Sequence, residues 1–524
     1  MKKMVLNVNY KIVLAVLAGL FVNLSAAFPQ NMVHNCYTSL VPLDSAKTTN
    51  NTVTAFAYQK EGLHLVFTGG DGGFLDVFSL SDKGMLQPLA TYELYNKKGP
   101  ARGLVADNIG GKDFLFVGNK GGNAVEVFEI EDDGQLQRVF LLKDTEETHL
   151  GTVITLKVVH MKKASYLFVG GLENTPGLSC FEIQKNGKLN HVQSLKDDDT
   201  IHTDGIIGMY AHNIEGKTFL FTGGFQDNGI SSFRVFENGH FENVSNISDN
   251  VNDRYLTGTY PVDGVTLGSN HYVIVGHRHH KYYKRTNFIK KKDFVYHGDG
   301  VSVFKVSPEG HLIPHDVLID NDSTLLAGQT RIEVLQVNEK EAIVTIGTRD
   351  DNSIQVCRMG EDGLLKPSGG LNTGYPIYYG MASHKIGEDL YFLAGSVSSD
   401  VKKLFSYTIK AVNQMVETAP QKVLRHIVNL KFKEEVSQER IEIAVKDFIN
   451  LQQKIPEIIG FEWGINNSEE GHSKGFTHGF TLTFKDEEAR EIYLKHKDHL
   501  ALVEKVGPIL EDVFVMDYWT NSDF

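Results

Sequence analysis

The sequence predicts an all-β seven-bladed propeller followed by a small α+β, ferredoxin-like domain. Three observations predict it. A strand ending in glycine recurs seven times through the first four fifths of the 524 residues. Each unit continues with further short strands, usually joined by an x-Gly turn. After residue 421 this pattern stops, and apolar residues alternate between strand and helix spacing.

The glycines that end the recurring strand are Gly69, Gly118, Gly170, Gly223, Gly276, Gly347 and Gly395, at spacings of 49, 52, 53, 53, 71 and 48. Hairpin turns follow at Gly84, Gly134, Gly187, Gly239, Gly310 and Gly363. Glycine after Asp, Asn, Lys or Glu supplies the positive φ that a tight hairpin needs. A period near 50 residues with several short strands per unit indicates four-stranded blades, which bury both faces only by stacking in a ring. The seventh unit has no turn after Phe405 to Ile409. Residues near 33–44 are expected to supply its outer strand and close the ring, so the propeller spans 33–411.

Composition narrows the function classes. Hydrophobic residues make up 41% and charged residues 22%, which excludes wholesale disorder. Formal net charge is −13, from 52 basic and 65 acidic side chains, so a general nucleic-acid binder is not expected. Three cysteines make no disulfide framework. Lys2, Lys3 and Lys11 precede an 11-residue apolar run, Ile12 to Val22, and then small residues at Ser25, Ala26 and Ala27. This reads as a signal peptide over 1–27, cleaved after Ala27, and a periplasmic or secreted protein with no later membrane span.

Residues that precede each inner strand should share one mouth with those that follow each strand-ending glycine. That set is Arg102, His149, His202, Asp204, Tyr260, Arg331 and Tyr375, with Asp71, Asn119, His277 and Arg349. Loops on a rigid scaffold tend to carry function. The 71-residue spacing adds an insertion in which Arg278, Lys281, Lys284, Arg285, Lys290, Lys291 and Lys292 precede Asp293. Arg278, Lys284 and Arg285 join the ligand-binding set as a basic hairpin over the mouth. Arginine grips carboxylates bidentately, so an anionic carbohydrate or sugar acid is the expected partner. His277, His279 and His280 lack a supporting carboxylate nearby, and neither a metal nor a cofactor is expected.

The glycine-ended strands, the Val-x-Val-Phe strands (Val125 to Phe128, Val301 to Phe304) and the x-Gly-x-Leu turns resemble the lactonase-type seven-bladed propellers, which include 6-phosphogluconolactonase. The resemblance covers about residues 36–411. It implies ester hydrolysis of a sugar lactone, with His202, Asp204 or His149 activating water and Arg331 stabilising the oxyanion.

A polar linker, 412–421, leads to the second domain, 422–520. Leu424 to Phe432 alternates as a strand, and Ser437 opens a helix with Ile441, Ala444, Val445, Phe448 and Leu451 on one face. Strands follow at Phe461 and at Phe476 to Phe484. Asp486 caps a second helix, on which Tyr493 and His496 share a face, and Val513 to Tyr518 is the last strand. The order βαββαβ is ferredoxin-like. His426 to Phe432, Gly475 to His478 and the Tyr493, His496, His499 set resemble the stress-responsive dimeric A/B barrel domain (Dabb). That resemblance implies a homodimer built through this domain. From its cyclase members it implies a Tyr493 and His499 acid–base pair.

The expected function is breakdown of acidic carbohydrate outside the cytoplasm, at the propeller mouth. The alternatives are a non-catalytic module that binds a glycan or a protein, and cyclase-like Tyr/His chemistry in the barrel.

Overall fold

The computed structural model describes residues 38–521 apart from 97–98, 173–176, 199, 249–255, 279–298, 322–323, 399–400 and 412–421. The expected leader and most of the basic hairpin, Lys284 and Arg285 included, lie outside the described residues. The chain divides into two compact units, residues 1–414 and 415–524.

The first unit is built from four-stranded antiparallel groups. Five are separate sheets, the first running Ala101–Ile109, Lys112–Asn119, Ala124–Ile130 and Leu136–Lys143. The sixth is an eight-stranded sheet in which one parallel bridge, Thr54 to Tyr379, joins two groups of four. One of those groups has the strand Thr38–Lys47 as its outer member, paired antiparallel with Lys403–Ala411. The first strand of each group neighbours the first strand of the next, and Ile377–Ile386 neighbours Thr52–Lys60 in turn.

The recurring glycine has a packing cause. A Cβ on Gly69 would sit 2.4 Å from the Cβ of Ala101, which opens the next group. Gly118 meets Val153 and Gly170 meets Ile206 in the same way, each at 2.7 Å. Gly395, in the last group, meets Thr52 of the first at 2.2 Å. Any side chain here would push apart the strands whose stacking buries both faces. The hairpin glycines also carry positive φ, +79° at Gly187 for example. Gly187 packs on Phe114 and Gly310 on Phe219 of the preceding group.

Between the groups lie fully buried aromatic and branched residues such as Phe67, Phe116, Phe168, Phe221 and Ile274. Truncating one such phenylalanine to alanine costs about 3–5 kcal/mol. A buried polar residue recurs on the third strand of most groups and pins the backbone of a loop. Asp76 accepts the Thr49 N–H (2.8 Å), Glu126 the Tyr95 N–H (2.9 Å), Ser231 the His202 N–H (2.9 Å) and Gln355 the Leu325 N–H (2.9 Å). Those loops lead into the first strands, so their ends are held in place.

The second unit is a four-stranded antiparallel sheet in the order Ile458–Ile465, His478–Phe484, Lys422–Phe432, Leu510–Asn521. With helices Gln438–Ile449, Glu487–Lys495 and Lys497–Val506, this is the ferredoxin-like arrangement. Leu424, Val428, Leu430, Phe480, Leu482 and Phe484 face the helices and pack with Ala444, Val445 and Phe448. Asp486 caps its helix by accepting the Ala489 N–H at 2.9 Å. Among the described residues no helix is long and apolar enough to cross a membrane.

Candidate functional sites

In the first unit, bulges re-aim side chains near the starts of the first strands. Every first strand slips register near its start: between Thr52 and Thr54, Ala101 and Leu104, Thr259 and Val262, and Ile377 and Met381, for example. A bulge re-aims the residues it leaves unpaired. Those residues include Arg102, Tyr260, Tyr378 and Tyr379. Gly103 and Gly380 lie in two of the bulges because the adjoining strand passes close. Their Cβ atoms would come within 2.9 Å of Leu156 and 2.7 Å of the Thr52 carbonyl.

These groups form one cluster of arginines and tyrosines. The Arg102 guanidinium lies 4.9 Å from the centre of the Tyr378 ring and 5.6 Å from that of Tyr379. Arg278 lies 5.2 Å from Tyr378 and 5.4 Å from Tyr260, and Arg349 lies 5.5 Å from Tyr378. Arg278 Nη1 donates to the Tyr378 hydroxyl at 3.0 Å and to the Tyr260 hydroxyl at 3.3 Å. Tyr260 stacks on Tyr379 at 5.0 Å. The Arg102 Nε is buried and meets no hydrogen-bond acceptor among the described residues. Asp71 acts on Arg102 electrostatically but makes no ion pair with it among the described residues.

The cluster splits its phenols. Burial favours neutral Tyr378, yet the charges of Arg278 and Arg102 and hydrogen bonds from Tyr260 and Arg278 outweigh it and hold that phenol below its ordinary value. Burial and the neighbouring Tyr378 push the Tyr260 phenol up despite the same arginines. Burial likewise pushes Tyr379 up.

Beneath the bulges the first strands enclose a cavity of about 200 Å³, faced by Arg102, Lys157, Asp263, Arg331, Glu333 and Tyr379. Small-molecule sites start at roughly 300 Å³, so this cavity is smaller than an ordinary ligand pocket. Arg331 Nε donates to Glu333 at 2.7 Å. Glu333 also accepts from the Ser383 N–H at 3.2 Å and its hydroxyl at 3.0 Å. Burial, then Glu333, pushes the Asp263 carboxyl up to about 6.

The sequence-predicted residues divide accordingly. Arg102, Tyr260, Arg278 and Arg349 come together around Tyr378. Arg331, expected as an oxyanion group at the mouth, lines the same cavity as Arg102, its Nε donating to Glu333. Tyr375 is buried, and its hydroxyl bonds to that of Tyr407 at 2.8 Å. Asn119 caps a short turn through the Gly122 N–H and also bonds Glu126. His149 occupies a turn with φ of +42°. His202 is half-buried against Gly229, and the Asp204 N–H donates to Asp227 at 2.8 Å. His277 is buried, with Nε2 3.4 Å from Asp299. Among the described residues no group of three or more His, Cys, Asp or Glu could hold a metal ion.

The second unit holds a separate constellation. Tyr493 is buried, and its ring centre lies 4.3 Å from that of His499 and 5.7 Å from that of His426. His499 Nδ1 bonds to the Leu494 carbonyl at 3.1 Å, so in the neutral ring Nδ1 carries the proton and Nε2 the lone pair. Burial lowers its proton affinity, against the Leu494 bond and with help from His426 and His496. Burial pushes the Tyr493 phenol up. His426 Nδ1 meets Asp517 at 2.6 Å, and Arg490 donates to the other oxygen of that carboxylate at 2.7 Å. His496, expected to share a helix face with Tyr493, instead ends that helix and caps the next by accepting the Asp498 N–H. The break at His496 is what turns His499 back onto Tyr493.

Residues 424–520 match the stress responsive A/B barrel domain. Through these residues the chain belongs to that family. It is 35% identical over 99 residues to the stress-response A/B barrel domain-containing protein HS1 of Arabidopsis thaliana, covering 19% of this chain and 91% of that protein. It is 27% identical over 95 residues to olivetolic acid cyclase of Cannabis sativa, covering 18% and 94%. Among solved structures, hydroxynitrile lyase from Passiflora edulis is similar at 29% identity, covering 20% of this chain and 99% of that one, with a TM-score of 0.19.

Proposed function

We propose that residues 38–411 form a seven-bladed propeller of the lactonase type whose mouth binds an acidic carbohydrate or sugar acid. One observation carries this reading: three guanidinium groups, those of Arg102, Arg278 and Arg349, surround a single tyrosine ring. Guanidinium forks suit a carboxylate, and tyrosine rings suit the apolar face of a sugar. The succession of first strands from group to group, returning from Ile377–Ile386 to Thr52–Lys60, supports the ring. The protein acts outside the cytoplasm in this reading, in carbohydrate catabolism. The test is thermal unfolding of the full chain with galacturonate or gluconate against galactose or glucose. Ligand at a hundred times its Kd adds about 2.7 kcal/mol. The acids are expected to raise Tm and the neutral sugars to leave it unchanged; an equal rise with both overturns the reading.

The A/B barrel unit serves in this reading to pair two chains. Its last strand exposes Val513, Phe514, Val515, Met516 and Trp519, each more than two fifths accessible. A second chain covering that strand removes the apolar surface from water. The contact between Tyr493 and His499 favours a further reading, acid–base chemistry of the cyclase kind within the same unit.

A further inference from the structure

We propose that the mouth catalyses β-elimination on a uronate, with Tyr378 as the catalytic acid–base residue. This rests on the sugar-acid reading above and names its reaction. Elimination needs a base beside the carbon next to a carboxylate, and positive charge on that carboxylate. The cluster supplies both in one place. Tyr378 is partly accessible, its hydroxyl accepts from Arg278, and Arg102 and Arg349 lie against its ring. Tyr260 is almost wholly buried beside it and shares the Arg278 donor, so it buttresses the base rather than meeting substrate. Neighbouring titratable groups driven in opposite directions mark a base and its supporting acid. Here Tyr378 goes down and Tyr260 goes up.

The step balances without a co-reactant. The Tyr378 phenolate oxygen takes the proton from C5 of the uronate. The C–H electron pair becomes the C4–C5 double bond as the C4–O bond breaks. The departing oxygen takes the same proton back from Tyr378, which regenerates the phenolate. The arginines hold the carboxylate on which charge develops in the transition state. The products are an unsaturated uronate and a sugar with a free hydroxyl.

The experiment incubates the full chain with polygalacturonate or alginate oligomers and reads the ultraviolet absorbance of the conjugated product. A neutral glucan is the control. Absorbance is expected to rise with a uronate only, and kcat to climb with pH as the phenol ionises. Tyr378→Phe is expected to lower kcat about a hundredfold or more while uronate binding persists. Uronate binding without unsaturated product, or full kcat in Tyr378→Phe, overturns the elimination and leaves the binding reading standing. Absence of uronate binding overturns both.

Discussion

Asp263 reaches across two neighbouring first strands, its Oδ2 accepting the Val334 N–H at 2.9 Å. The contact ties one sheet to the next inside the central cavity. It also keeps a carboxylate, pushed up to about 6, beside Glu333. The folded protein therefore binds a proton there that the unfolded chain releases near pH 4. Stability from this group is present at acid pH and falls as pH rises from about 4 to 6. Asp263→Asn keeps an acceptor for Val334 and removes the charge. It is expected to flatten that part of the pH profile and to raise stability at pH 7 by on the order of 2 kcal/mol. Urea unfolding across pH 4–8 reads both.

Gly395 and Thr52 bring the last group of strands against the first. Gly395→Val should open that contact and cost about 1–3 kcal/mol, because the added side chain overlaps the Cβ and Cγ2 of Thr52. Adding Thr52→Gly should restore part of the loss, as expected for two residues in contact. A Gly395→Val variant with unchanged Tm would show that the two groups do not meet.

Phe514 and Met516 lie on the last strand of the second unit with their side chains exposed. Phe514→Glu with Met516→Glu places two charges on the surface assigned to pairing. Sedimentation should then show a monomer, with the wild type a dimer at the same concentration. Burying two unpaired carboxylates would cost several kcal/mol, more than an ordinary interface contact supplies.

His499 is expected to titrate below the usual histidine value near 6.5, since burial disfavours its charged form. The sign follows: the unfolded chain takes up this proton first, so stability is lost as pH falls through about 6.5. Nitrogen NMR should find the neutral ring protonated on Nδ1, facing Leu494. Protonation on Nε2 would contradict the geometry.

The repeat was legible because packing forces it. Gly69, Gly118 and their equivalents recur because the next first strand leaves no room for a Cβ, and the helix cap at Asp486 is set by chain-local hydrogen bonding. Of the sites, Arg102, Tyr260 and Arg349 follow from asking which strand ends share a mouth, and Arg278 from the basic insertion. Tyr378 and Tyr379 are not legible as site residues in the sequence, because the bulge that re-aims them depends on Gly380 meeting Thr52, over 300 positions away. Lys157, Asp263 and Glu333 stand as lone charges in apolar strands, a signal that such side chains face a shared cavity. The pairing of His426 with Asp517 is not legible in the sequence, because the two meet only through strand pairing across 91 residues.

The account turns on whether Arg102, whose buried Nε meets no acceptor among the described residues, binds the anion. Calorimetric titration of galacturonate into the wild type and into Arg102→Ala tests this most directly. Loss of a charge-assisted hydrogen bond is worth about 1.5–3 kcal/mol, roughly a tenfold to hundredfold weaker Kd. Tight binding by the wild type, weakened to that extent in the variant, is the predicted result. Equal affinity in the two proteins would contradict it.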